Sequence, residues 1–142
     1  MTVLLDTDHF SILQHNQKPE VDRLQARLQP LSGKQIKVCI VSFQEQAKGW
    51  LAWINRARTP SEVLRGFGFL HGLLKHYSVR HVLPFDQAAM SEFLRLKQQR
   101  VRIGTSDLRI AAIAKTNGLT LLSRNLRDFR QVPGLLVEDW TI

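Results

Sequence analysis

The stretch RIGTSDLRIAAIAKTNGLTLLS, residues 102–123, constrains the fold more than any other part of this chain. Thr105 or Ser106 can cap a helix, Leu108 and Ile110 to Ala114 supply its apolar body, and Asn117-Gly118 stops it. Leu119 to Ser123 (LTLLS) then reads directly as a buried strand. Shorter versions of the same alternation recur on either side. The arrangement predicts an α/β fold around a mainly parallel central sheet.

Thr2 to Asp6 (TVLLD) reads as the first buried strand, with Asp6 at its carboxyl end and Asp8 as the cap of a helix reaching about Gln14. Pro19 opens a second helix carrying Val21, Leu24 and Leu28, and Pro30 and Gly33 close it. Ile36 to Val41 is the second strand, followed by Ser42 as the N-cap of a long helix with Ala47, Leu51, Trp53 and Ile54. A further helix restarts at Thr59-Pro60-Ser61-Glu62, so the two form a hairpin. His81 to Phe85 is a short edge strand, because Pro84 lacks a ladder donor. Asp86 caps a helix to about Gln99, Asn125 to Arg130 is a loop or short turn, and Leu135 to Glu138 is the last strand. No repeat or linker interrupts the pattern, so residues 1–142 are expected to form one domain.

Twenty Lys and Arg against twelve Asp and Glu leave a formal charge of +8, which suits a polyanionic partner. The basic residues are dispersed, so solvated helix faces explain the spacing equally well. The single cysteine, Cys39, sits in an apolar run and reads as a buried thiol, which fits a reducing cytoplasm. The N-terminal apolar run is cut short by Asp6, so neither a secretory signal nor a transmembrane span is expected.

In open parallel sheets, chemistry gathers at the carboxyl ends of the strands. Asp6 ends strand one, Glu45 lies in the first turn of the helix after strand two, and Asp107 opens the helix before the fourth strand. Each has a structural alternative. Glu45 can complete a capping box with Ser42, Asp107 can favour the helix macrodipole, and Asp6 can simply end its strand. Together, carboxylates without nearby His or Cys suit Mg²⁺ or Mn²⁺, a standard route to phosphodiester hydrolysis.

These residues resemble the PIN-domain family, and most closely the VapC-type toxins of bacterial toxin–antitoxin pairs. LLDTDHF is similar to that family's opening motif, SFQEQAKGW to its Glu-bearing segment, and IGTSDLRIAAIAKTNGLTLLSRNLRDF to its most specific stretch. RQVPGLLVEDW is also typical of its close. The resemblance implies a three-layer α/β/α domain and a single-strand-specific endoribonuclease using Mg²⁺ or Mn²⁺ and a metal-activated water. It also implies a small antitoxin that blocks the acidic site, and homodimerisation. The family's acids carry over onto Asp6, as central ligand, Glu45 and Asp107. The fourth acidic position falls on Asn125, which brings no charge. Asp128 could substitute for it or serve the loop, Asp8 could add an outer carboxylate or cap its helix, and Ser123 or Thr105 could orient water.

Other signals carry less. His71 and His76 are five residues apart, which does not stack them on a helix as zinc would need. Gly66, Gly68 and Gly72 follow no strand and do not make a phosphate loop, and Trp50 and Trp53 read as packing. Two rivals stand beside the nuclease: a catalytically weak RNA-binding regulatory PIN domain, motivated by Asn125, and a metal-dependent phosphatase or DNA nuclease.

Overall fold

A computed structural model describes all residues, 1–142. The five strands are β1 (Val3–Leu5), β2 (Ile36–Cys39), β3 (His81–Leu83), β4 (Thr120–Leu122) and β5 (Leu136–Glu138). The helices are α1 (Thr7–His15), α2 (Glu20–Leu28), α3 (Ile40–Arg56), α4 (Pro60–Ser78), α5 (Gln87–Gln98), α6 (Thr105–Thr116) and the single turn α7 (Leu126–Phe129). All strands pair in parallel in the order β3-β2-β1-β4-β5. The chain moves outward from β1 through β2 to β3, then returns to lay β4 on the other side of β1. That reversal is a topological switch point, the place where open α/β sheets form crevices.

The alternation of side chains along the central strands builds the layers. Leu4, Cys39 and Leu121 pack on one face with Phe93, Leu96, Ile110, Ile113 and Phe129. Val3, Leu5, Val38 and Leu122 pack on the other with Phe10, Ile12, Leu24, Leu73 and Tyr77. Helices thus cover both faces, and a strand buried on both sides reads as an unbroken apolar run rather than an alternating one. The three-layer α/β/α arrangement is present.

Helix ends follow the expected chemistry at the starts of α4 and α5 and at the end of α6. Thr59 caps α4 by accepting the Glu62 N–H at 3.1 Å, with Pro60 at the first helical position. Asp86 caps α5 through the Ala89 N–H at 3.0 Å. Gly118 beyond α6 has φ +63°, the left-handed conformation that a glycine accepts without strain. The α3–α4 hairpin closes where Trp53 Nε1 donates to the Glu62 carbonyl at 3.1 Å and Trp50 stacks on Phe69. Gly66 permits that approach: a Cβ there would lie 2.6 Å from Ile54 Cγ1 and 2.8 Å from Trp53 Cδ1.

Three helix starts differ from expectation. The second strand stops at Cys39, which is itself the N-cap of α3, so Ser42 is inside the first turn and forms no capping box with Glu45. The β-branched Ile40-Val41 pair reads as strand, but Val41 is buried against the α5–α6 layer as a helical residue. Tertiary burial overrides local preference there. Gly104, not Thr105 or Ser106, is the N-cap of α6, and Asp6, not Asp8, caps α1.

Candidate functional site

Helices that follow or precede parallel strands run antiparallel to them, so the N-termini of α1, α3 and α6 all lie at the carboxyl edge of the sheet. Four segments remote in sequence therefore meet beside the β1/β4 switch point. Asp6, Glu45, Asp107 and Asn125 line one open pocket of about 470 Å³, together with Thr7, Asp8, Ser11 and Gln46. No apolar residue contributes to its wall.

Asp6 is buried where β1 becomes α1, and its own N–H continues the ladder to the Leu122 carbonyl at 3.0 Å. Its Oδ1 accepts the His9 N–H at 2.7 Å, which caps α1 and fixes the carboxylate. Oδ2 receives no protein hydrogen bond. Glu45 is the sixth residue of α3, a turn later than expected, because the helix starts earlier. Thr7 Oγ1 donates to Glu45 Oε1 at 2.6 Å and lies 2.9 Å from Ser42 Oγ, so Thr7 orients the glutamate from α1. The sequence reading missed this role of Thr7, because a threonine within a helix turn has no distinguishing spacing.

Asp107 is the third residue of α6. Burial pushes its carboxyl above the usual carboxylate range, and the charges of Asp6, Glu45 and Asp128 push it the same way. The hydrogen bond from Asn125 opposes them. Asn125 Nδ2 lies 3.4 Å from Asp107 Oδ2 and 3.0 Å from Asp128 Oδ2, so the amide donates to two acids. Asp128 is close enough to add negative charge but does not line the pocket. Ser123 Oγ accepts the Asn125 N–H at 2.9 Å and is wholly buried, so it shapes the turn and does not face a water; Thr105 is exposed and outside the pocket.

Asp8 lines the rim, paired with Arg124 through two hydrogen bonds of 2.6 and 2.7 Å. That bond holds its carboxyl below the usual range despite partial burial. No lysine or arginine pairs with Asp6, Glu45 or Asp107. They line one open pocket without an internal counter-charge, which fits an all-oxygen site for a hard divalent cation. Asp6, Asp8 and His9 also bring ligand atoms within 4.8 Å of one another. That grouping suits a cation less well, since His9 is sealed from solvent and Asp8 is already neutralised by Arg124.

Cys39 is buried, and burial pushes its thiol up, in keeping with an inert structural residue.

Comparison with known proteins adds a second line. No family model matches the chain. It is 31% identical over 91 residues to Ribonuclease VapC1 of Rickettsia felis, covering 61% of this chain and 66% of that protein. It is 47% identical over 64 residues to Ribonuclease VapC2 of Haemophilus influenzae, covering 45% and 46%. The matched stretches thus span from 46% to 66% of these relatives' own length. The chain is therefore similar in sequence to VapC ribonucleases. Its fold agrees end to end with the solved structure of VapBC-1 from nontypeable Haemophilus influenzae, at a TM-score of 0.72 and 21% identity over 100% of both chains. At that identity the likeness speaks for the fold alone. No helix is long and apolar enough to cross a membrane.

Proposed function

We propose that the chain is a metal-dependent endoribonuclease, the toxin of a toxin–antitoxin pair, with Asp6, Glu45 and Asp107 as the metal-holding acids and Asn125 completing the site. The observation that carries this reading is the convergence of those four residues, from four separate segments, on one polar pocket in which Asp6, Glu45 and Asp107 pair with no lysine or arginine. Similarity to relatives named ribonucleases supports the same reaction.

Mg²⁺ or Mn²⁺, when bound, supplies charge neutralisation at the scissile phosphate and activation of the attacking water. The chain's own groups do the rest. Asp6 lines the pocket, clamped through Oδ1 by the N-terminus of α1 and with Oδ2 free of protein hydrogen bonds. Thr7 holds Glu45 in one rotamer across the gap between α1 and α3. Asn125 keeps the less solvated Asp107 oriented while adding no further negative charge.

The +8 charge supplies attraction for a phosphate backbone, and a strand unpaired enough to enter an open pocket is the expected substrate form. Leu64, Phe67 and Leu74 stand exposed on α4, and Leu51 on α3. An exposed apolar helical face is unusual for a solitary protein, and supports a small antitoxin partner and a homodimer. The donor role of Asn125 also supports a second reading, a regulatory domain that binds RNA without cutting it.

Purified protein incubated with RNA, DNA and a phosphatase substrate, with and without Mg²⁺ or Mn²⁺, tests the proposal. RNA cleavage that requires metal and disappears in Asp6→Asn is expected. RNA binding without cleavage selects the regulatory reading, and cleavage of DNA or the monoester instead refutes both.

A further inference from the structure

His9 takes no part in the chemistry above, yet its side chain is wholly buried between the acidic pocket and the C-terminal segment. Its Nε2 accepts the backbone N–H of Trp140 at 3.3 Å, and Asp139 Oδ1 stands 3.7 Å from the same nitrogen. Asp139 Oδ1 is already engaged by the Thr141 N–H at 2.8 Å and the Thr141 hydroxyl at 2.6 Å. A ring nitrogen that accepts a hydrogen bond has no proton, so the imidazole carries its proton on Nδ1.

Nδ1 is the one buried side-chain polar atom of the chain without a hydrogen-bond partner. Such orphans are rare in folded proteins and call for a reason. The reason is visible 3.6 Å away, where Asp6 Oδ1 lies just beyond hydrogen-bonding distance. A small rotation of the Asp6 carboxylate closes that gap. His9 thus meets Asp6 twice, through its backbone N–H and through a ring nitrogen 3.6 Å away that has no other partner.

We propose that His9 is a positioning residue for the metal site: its Nδ1–H closes onto Asp6 Oδ1 when Oδ2 ligates the cation, while the Trp140 backbone holds the ring in the required tautomer. The inference rests on the reading of Asp6 as a metal ligand. Outer hydrogen bonds to ligating groups are commonly worth about 10- to 100-fold in metal affinity. The C-terminal segment, residues 139–141, thereby becomes part of the site's support although it lies outside the pocket.

Two substitutions separate positioning from packing, because each retains a different half of the imidazole. His9→Asn places an amide nitrogen near the Nδ1 position and nothing at Nε2. His9→Gln reaches the Nε2 position and leaves Nδ1 empty. Mn²⁺ affinity is read by paramagnetic resonance of free Mn²⁺, and melting temperature is read in EDTA. The expected result is a fall of about 10- to 100-fold in Mn²⁺ affinity for Gln. Asn should stay within about threefold of the unaltered protein although it melts lower, having lost the Trp140 contact. Unaltered affinity in His9→Gln, or losses in both variants that track melting temperature, overturns the inference.

If either variant fails to fold, nitrogen NMR of the unaltered protein decides. The Nδ1–H tautomer with a proton resonance that moves downfield on adding Mg²⁺ is expected; the other tautomer, or no movement, refutes the proposal. Unaltered protein that binds no Mn²⁺ at all instead refutes the metal reading itself, so the two failures are told apart.

Discussion

Replacing Asn125 by Asp restores a carboxylate at the position where the resembling family carries its fourth acid, and the structure sets the size of the effect. Asn125 Nδ2 donates to Asp128 Oδ2 at 3.0 Å and, more weakly, to Asp107 Oδ2 at 3.4 Å. The substitution removes a hydrogen bond to a charged acceptor at an exposed residue, worth about 1 kcal/mol. It also sets a new negative charge about 3 Å from an existing one, a repulsion of about 1.4 kcal/mol at the dielectric constant of water before salt screening. Metal-free protein should therefore lose about 2 kcal/mol, or roughly 4–8 °C in melting temperature for a domain of this size. Divalent cation offsets most of that loss, because the added oxygen is a ligand and the repulsion is neutralised. A tenfold gain in affinity returns about 1.4 kcal/mol at saturating metal. Thermal melts in EDTA and across a Mn²⁺ titration measure both effects. A metal-free variant as stable as the parent, with unchanged Mn²⁺ affinity, would refute the placement of Asn125 beside the acids and the argument that the pocket lacks positive charge.

Other outcomes follow from single contacts. Thr7→Val removes the 2.6 Å hydrogen bond to Glu45 at nearly constant volume, and Mn²⁺ affinity measured calorimetrically should fall by about tenfold with little change in melting temperature. Gly66→Ala forces a Cβ to 2.6 Å from Ile54 and should destabilise by about 1–3 kcal/mol in urea unfolding. Gly68→Ala, two residues on with nothing within 4 Å, should gain up to about 1 kcal/mol through helix propensity. Glu92 accepts from Arg95 at 2.8 and 2.9 Å and pairs with Lys115 at 3.0 Å, and the Arg95 hydrogen bonds hold its carboxyl below the usual range. A depressed folded pKa contributes stability above the ordinary carboxylate range and loses it as pH falls through the folded value. Glu92→Gln should therefore lower stability by about 1 kcal/mol near neutral pH, and the gap to the parent should close in acid melts.

Much of this architecture was legible before any coordinates, for physical reasons that differ by element. The α6–β4 passage is readable because an apolar helical body, an Asn-Gly stop and a buried strand are each local signals. Asp86 and Thr59 cap their helices as read, since capping is a contact over three residues. Ser42 misled because Ile40 and Val41 have strand propensity, and only the burial of Val41 against α5 and α6 shows that the pair opens a helix. Asp6 and Asp8 are both plausible caps in sequence, and the turn after β1 decides for Asp6.

The site divides along the same line. Placement at the carboxyl edge of a parallel sheet singled out Asp6, Glu45 and Asp107, the family resemblance added Asn125, and all four line one pocket. The amide of Asn125 turned toward two acids, the grip of Thr7 on Glu45 and the pairing of Asp8 with Arg124 depend on side-chain directions across 18 to 116 residues of chain. So does the burial of His9 against a backbone N–H 131 residues away. Local sequence dictates which elements form and which ends meet. The tertiary structure alone decides which oxygen is clamped, which is open and which donor waits beside it, because hydrogen-bond geometry is resolved over tenths of an ångström that no spacing along the chain encodes.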